Sequence, residues 1–263
     1  MDEHSSPDAV VTLSLEVCRQ GLLPERFKDV QFVGHRGALA GDTEGNSYAA
    51  LWRAKKLGIA SEVDVRLAEG RLPVLAHGAA YSDRKGRERR IRDMAKRQHK
   101  KIGRDDGYGI LLLAEAYEYF PDMAFMLDLK VGGAESACAR VLEVIPNALE
   151  RTLVICSPER VFRSTKSSKL RRGKGLPRCF AVRGEQDLIL LERLASSHAS
   201  RSELRKYACS FRAISLPYSL MNWTGLELWL DAGFGVFVYL TKTASEAREC
   251  IKRGLVPVTD EMP

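Results

Sequence analysis

Val236-Phe237-Val238-Tyr239-Leu240 leads into a helical stretch from Ser245 to Arg253, a Gly254 stop, and then Val256-Pro257-Val258-Thr259. An apolar run, a capped helix and a second apolar run make a strand–helix–strand unit, the crossover that parallel strands require. The unit recurs upstream. Ala213 to Leu216 reads as a strand, and Leu226 to Ala232 as a helix closed by Gly233. Before them come a strand over Arg178 to Val182 and a helix over Gln186 to Leu194. Met123 to Leu129, Glu135 to Ile145 with Pro146 closing it, and Thr152 to Cys156 give strand, helix and strand again. Nearer the N-terminus lie a strand over Val30 to Val33 and a helix over Ser47 to Leu57, with Asn46 or Ser47 as N-cap and Gly58 as stop. Ser61 to Leu67 alternates as a strand, Arg71 to Ala76 follows it after a Glu69-Gly70 turn, and Leu111 to Phe120 reads as a helix. About eight such alternations predict an α/β fold of the TIM-type (β/α)8 class rather than an open sheet.

The 263 residues suffice for one such domain over positions 1–263, and 45% hydrophobic content supplies its core. No Gly-x-Gly-x-x-Gly follows the first strand, which argues against a dinucleotide site. No apolar stretch approaches the ~20 residues of a membrane span, and Ala9 to Leu15 is too short and polar for a signal-peptide core. A cytoplasmic location is the expectation. Cys18, Cys138, Cys156, Cys179, Cys209 and Cys250 include no Cys-x-x-Cys pair and read as free thiols of a reducing compartment. The net charge of +7 is local: Arg84 to Arg104 holds eleven Lys or Arg against Glu88 and Asp93, a balance of +9, which leaves −2 for the rest. This segment belongs to a polar insertion over about 78–110. A second basic, Ser- and Gly-rich stretch runs from Arg163 to Pro177. Both follow strands and are expected to overhang the C-terminal face of the barrel, as solvated loops or as walls facing a substrate.

Chemistry-bearing residues cluster at the strand ends. Glu62 and Asp64 are two apart on one strand and therefore share a face. Like charges so placed raise each other's pKa unless a cation lies between them, and a hard divalent ion, Mg²⁺ or Ca²⁺, suits oxygen ligands. On an edge strand the same pair would be ordinary surface charge. Asp128 and Lys130 repeat the spacing; Asp128 can complete a three-carboxylate metal set and Lys130 can reach a phosphoryl oxygen, although a local ion pair is the simpler alternative. Arg36 offers the planar fork that phosphate accepts. His35 and His77 titrate near neutrality and can exchange protons with a nucleophile and a leaving group. His4, His99 and His198 carry no assignment.

Taken in order, His35-Arg36-Gly37, Glu44 and Asn46 before an Ala-rich helix, Glu62-x-Asp64, His77 and Asp128-x-Lys130 resemble the glycerophosphodiester phosphodiesterase family. Thr241 and the closing Thr259-Asp260-Glu261-Met262-Pro263 extend the resemblance from about Val30 to the C-terminus. It implies a TIM-type barrel with a small insertion after the second strand. It also implies a divalent metal on Glu62, Asp64 and Asp128, an acid/base pair of His35 and His77, and Arg36 and Lys130 on the phosphate. The chain departs from the family's usual pattern at several places. Thr43-Glu44-Gly45-Asn46 is one residue longer than Pro-Glu-Asn, Gly78 replaces an Asp, Asp128 replaces a Glu as in the related sphingomyelinase D-like phospholipases, and Leu240 stands where Trp is common. These changes imply a remodelled alcohol-binding wall and a substrate such as a sugar-phosphodiester opine of the agrocinopine type.

The expected partner is thus a small-molecule phosphodiester. A lipid-directed phosphodiesterase of the sphingomyelinase D or lysophospholipase D type, with the basic insert on anionic membranes, is the alternative. A nucleic-acid-binding barrel is a weaker one, because Arg84 to Arg104 contains no aromatic residue for base stacking and no nucleic acid is expected.

Overall fold

Period-2 alternation decides what fills the barrel. On the strands, Ala60, Met126, Leu153, Cys179, Ala213, Phe237 and Val258 face one interior cluster, closed from below by Phe27, which lies edge-on to Phe237 with ring centroids 6.0 Å apart. Each large side chain buried there contributes about 1.5–3 kcal/mol. The alternate residues Val63, Val65, Leu127 and Val154 face outward into a second cluster shared with the helices. Continuing the inward series toward the strand C-termini turns it polar, at Glu62 and Asp64 after Ala60, at Asp128 after Met126, and at Ser215 after Ala213.

This architecture comes from a computed structural model, which describes residues 23–37, 44–83, 85–101, 109–157, 176–195, 211–231 and 233–263. In chain order the strands are β1 (Val33–Gly34), β2 (Ala60–Ala68), β3 (Leu72–Leu75), β4 (Ala80–Ser82), β5 (Glu88–Arg90), β6 (Phe125–Leu129), β7 (Thr152–Cys156), β8 (Arg178–Ala181), β9 (Ala213–Pro217), β10 (Gly235–Thr241) and β11 (Val256–Thr259). The α-helices are α1 (Tyr48–Leu57), α2 (Leu113–Tyr119), α3 (Ala134–Leu142), α4 (Glu185–Ala195), α5 (Leu226–Asp231) and α6 (Ala244–Lys252). Strands β1, β2, β6, β7, β8, β9, β10 and β11 pair in parallel, and β1 closes the ring by pairing with both β2 (Val33 with Ala60) and β11 (Val33 with Val258). The fold is the TIM-type (β/α)8 barrel that the sequence predicts.

Helices α1 and α6 carry the caps that their sequences call for. Ser47 caps α1 by accepting the Ala50 N–H at 3.1 Å, and Gly58 ends it in a left-handed conformation, φ 68°. Thr243 and Glu246 form a capping box at α6. The expected strand over Val30 to Val33 is only Val33–Gly34, and α3 stops at Leu142, short of the expected Ile145.

Two stretches gain detail that the sequence left open. The stretch Arg71 to Ala76 is not part of the parallel ring: β3 runs antiparallel to β2, with Val65 opposite Leu75, because Gly70 and Arg71 both take left-handed angles (φ 68° and 62°) that fold the chain straight back. The insertion is also more than a solvated loop. Its β4–β5 hairpin and short 3-10 turns pack Ile91 and Met94 against Val74, Ala76 and Leu112. The Asp83 carboxylate accepts the Lys85 and Arg87 N–H groups and pairs with the Arg87 and Arg89 side chains, which neutralises part of the basic run. Arg84 and residues 102–108 lie outside the described residues, as do most of the second basic stretch and the N-terminal segment through residue 22. Cys138, Cys156, Cys179 and Cys250 are buried, whereas Cys18 and Cys209 fall outside the described residues. Among the described residues, no helix is long and apolar enough to cross a membrane.

The turn after β1 is tight. Arg36 (φ 54°) and Gly37 (φ 71°) are both left-handed, and a Cβ at residue 37 would lie 2.8 Å from Leu51 Cδ2 and 3.2 Å from the Leu51 backbone nitrogen. Gly37→Ala is therefore expected to destabilise the fold by about 2 kcal/mol or more, since left-handed strain and backbone crowding add. Urea unfolding checks this: an unchanged midpoint would contradict it.

Candidate active site

Strand β2 delivers the first two carboxylates. Glu62 and Asp64 are 4% and 1% exposed on the inner face, and parallel register sets Asp64 beside Asp128 of β6. One oxygen from each of Glu62, Asp64 and Asp128 lies within 4.8 Å of the others, the spacing of a single cation's ligand set. All three residues singled out from the sequence as metal ligands thus meet at one point. Lys130, just past the end of β6, is held between two of them, 2.7 Å from Asp64 Oδ1 and 2.5 Å from Asp128 Oδ2.

The strained turn after β1 adds the next pieces. The Arg36 backbone N–H donates to Glu62 Oε2 at 3.0 Å. The Arg36 Nε lies 3.2 Å from Asp64 Oδ2 but is misaligned for a hydrogen bond, so the contact is an ion pair. His35 Nδ1 is 2.8 Å from Asp260 Oδ1; with a carboxylate as partner, that nitrogen carries the proton and Nε2 is left for other contacts.

His77 arrives by a different route. Because β3 returns antiparallel along β2, the Ala76 N–H bonds the Asp64 carbonyl at 3.0 Å, which sets the next residue beside the carboxylate cluster. The His77 carbonyl accepts the Arg66 Nε–H at 2.8 Å and its ring is exposed.

Two further residues organise the cluster, and neither was singled out as a site residue. Asn46, read as a possible helix cap, is buried with φ 61°. Its Nδ2 donates to Asp64 Oδ2 and its Oδ1 accepts the Asp64 backbone N–H, both at 2.8 Å, so one amide holds Asp64 by its carboxylate and by its main chain. Asp260 lies just past β11, inside the terminal run that carried the family resemblance, yet no local spacing pairs it with His35.

Charge balance within the cluster is uneven. Burial, then the neighbouring Asp64 carboxylate, pushes the Glu62 carboxyl up to about 7. Burial opposes ionisation of Asp64 too, but hydrogen bonds from Lys130 and Asn46 and the Lys130 and Arg36 charges hold it below the usual carboxylate range. Burial would depress Lys130, yet Asp128 and Asp64 keep it above the ordinary lysine value. For His35, burial is outweighed by the Asp260 hydrogen bond and the Glu62 charge, and its pKa is raised. For His77, partial burial and the Arg36, Lys130 and Arg66 charges lower it despite Asp64. Glu62 is thus the under-compensated acid of the set, with one backbone N–H against burial and a neighbouring carboxylate. Oxygen donors at this spacing suit a hard divalent cation, so the residues fit the implied metal.

Two clefts flank the cluster. One, about 330 Å³, runs between Arg36, Asn46 and His77 on one side and Tyr81 and Ile91 of the insertion on the other. The second, about 440 Å³, is the barrel mouth, where His35, Glu62, Asp128 and Lys130 face Arg183 and Tyr239. The insertion therefore does wall a cleft beside Arg36 and Asn46, which contact Asp64, and the two imidazoles line different clefts.

No protein-family model and no curated protein matches the sequence. Solved structures do match. A Galdieria sulphuraria protein, provisionally named a glycerophosphodiester phosphodiesterase, superposes with a TM-score of 0.69 at 15% identity, over 89% of this chain and 94% of that one. The chain has the fold of the glycerophosphodiester phosphodiesterases. The Thermotoga maritima glycerophosphodiester phosphodiesterase gives a TM-score of 0.63 at 20% identity, covering 89% of this chain and 95% of its own. An Oleispira antarctica phosphodiesterase in complex with the product sn-glycerol-3-phosphate gives 0.64 at 22% identity, with coverages of 89% and 93%. At such low identities the likeness is one of fold.

Proposed function

We propose that the chain is a divalent-metal-dependent phosphodiesterase that splits a small phosphodiester, a glycerophosphodiester or a sugar-phosphate diester such as an agrocinopine, into a phosphomonoester and an alcohol. The observation that carries this reading is the convergence of Glu62, Asp64 and Asp128 within 4.8 Å beside Arg36 and Lys130, with an imidazole in each adjoining cleft. Glu62, Asp64 and Asp128 would hold Mg²⁺ or Ca²⁺, which supplies Lewis-acid polarisation of a phosphoryl oxygen when bound. Arg36 and Lys130 bind the remaining phosphoryl oxygens and offset charge that builds during displacement. His77, whose depressed pKa keeps it neutral at pH 7, takes the proton from the attacking water or neighbouring hydroxyl. His35, protonated more readily through Asp260, gives a proton to the departing oxygen as its bond to phosphorus breaks. A neighbouring hydroxyl as nucleophile would yield a cyclic phosphate first.

A panel of glycerophosphodiesters, sugar-phosphate diesters and lysophospholipids, assayed with Mg²⁺, with Ca²⁺ and with EDTA, tests the proposal. Turnover of a small diester that EDTA lowers by about 10²-fold or more is expected. Undiminished turnover in EDTA would remove the metal from the mechanism, and a strict preference for lysophospholipids would favour the lipid-directed alternative.

A further inference from the structure

The far wall of the barrel mouth carries a cation that the proposed chemistry does not use. Arg183 lies two residues beyond β8 and lines the same 440 Å³ cavity as His35, Glu62, Asp128 and Lys130. Its side chain is exposed, and among the described residues no carboxylate lies within ion-pairing distance of its guanidinium. Its backbone, by contrast, is fixed at three points. The Val182 N–H donates to the Ser215 carbonyl at 2.7 Å, the Tyr239 hydroxyl donates to the Val182 carbonyl at 2.5 Å, and the Arg183 N–H donates to Asp187 Oδ2 at 2.8 Å. Tyr239 lines the same cavity as Asp128 and Arg183. Between them the cavity wall is uncharged, formed by Ile155, Ala181, Ser215 and Val258. A solvated surface arginine needs neither a rigid root nor a place in a cavity. This one has a fixed backbone root and a guanidinium that projects at a cavity mouth, and guanidinium groups pair best with carboxylate or phosphate oxygens.

We infer that Arg183 is a specificity-determining residue that binds a second anionic group, a carboxylate or a phosphate, on the diester arm that lies in the barrel mouth. This rests on the phosphodiesterase reading, because that reading places the scissile phosphate at Glu62, Asp64 and Asp128. Diesters whose arm ends in an anion are then favoured over arms that end in a neutral hydroxyl or in a quaternary ammonium such as choline. The Asp187 carboxylate on the following helix is already engaged by the Arg183 backbone N–H at 2.8 Å.

Two measurements test it. Calorimetry at fixed free metal ion compares glycerol 1,3-bisphosphate with sn-glycerol 3-phosphate, and kcat/KM is compared for glycerophosphoglycerol carrying or lacking a terminal phosphate. The wild type is expected to favour the doubly anionic compound about tenfold or more in each. Arg183→Gln should bring both ratios near one, and Arg183→Lys should retain part of the preference as a point charge without the fork. An equal affinity for mono- and bisphosphate in the wild type, or a preference unchanged in Arg183→Gln, overturns the inference whether or not turnover is seen. Absence of turnover for every diester, with the bisphosphate preference intact, would instead overturn the phosphodiesterase reading and leave a binding site for two anions.

Discussion

Asp64→Asn should reduce kcat/KM by about 10³-fold while leaving the barrel folded. Asn is isosteric, so the clamp from Asn46 keeps one of its two bonds and the strand stays in register. What disappears is charge. Lys130 and Arg36 lose their common anionic partner, and one of the three oxygen ligands for a divalent ion becomes a weak neutral donor. Stability moves little because two effects oppose. Two cations are left less well paired, but repulsion between Asp64 and the buried Glu62 is relieved, and the Glu62 carboxyl falls from about 7 toward its ordinary value while burial still holds it up. Metal titration by calorimetry and steady-state rates on the same sample read both consequences. A variant within tenfold of wild type would show that Asp64 is a structural acid and not part of the reacting centre.

The second large effect belongs to the imidazoles. His35→Ala and His77→Ala should each lower kcat by about 10²–10⁴-fold, the usual worth of a positioned proton carrier. The double variant should cost far less than the product of the two, because residues that act in one displacement are not independent. The pH profile separates their parts. His77 must be unprotonated to accept a proton, so the rate rises with pH as it loses its charge. Its pKa is lowered, so that acidic limb is expected below the ordinary histidine value of 6.5. In His77→Ala the limb should vanish, and a limb that persists unmoved would assign it to another group. Asp260→Asn should cost less than His35→Ala, because it disturbs the ring's orientation and charge without deleting the ring.

The sequence carries the ring of strands legibly because alternation has to be strict where one face meets helices and the other a barrel interior. Ala60, Glu62 and Asp64 on one parity and Val63 and Val65 on the other are enough to orient β2 without seeing its neighbours. Strand direction is less legible. The run at 71–76 is as apolar as a barrel strand, and only the paired left-handed angles at Gly70 and Arg71 send it back antiparallel; a Gly-Arg turn is a weaker written signal than Asn-Gly. Hence the position of His77 was readable, but its means of arrival was not.

The same contrast separates the site residues. Glu62, Asp64, Asp128 and Lys130 announce themselves through i, i+2 spacing on strands whose register is parallel. Asn46 does not, because an Asn just before a helix is ordinarily a cap, and the left-handed backbone that turns its amide onto Asp64 leaves no trace in spacing. Asp260 lies 225 residues from His35, and only the meeting of first and last strands brings them together.

That meeting is narrow. β1 contributes two residues, Val33 and Gly34, to two interfaces at once, whereas β2 on one side is nine residues long. A cylinder held shut by so short a stave should breathe first along that line, so amide protons at Val33 and Val258 are the ones to watch for early deuterium uptake. The His35–Asp260 bond straddles the same join and the Arg36–Glu62 bond straddles its neighbour. On the proposed mechanism, proton delivery by His35 is thereby tied to barrel closure: loosening that parts the staves would also break the His35–Asp260 bond, and an occupant bridging them would hold both.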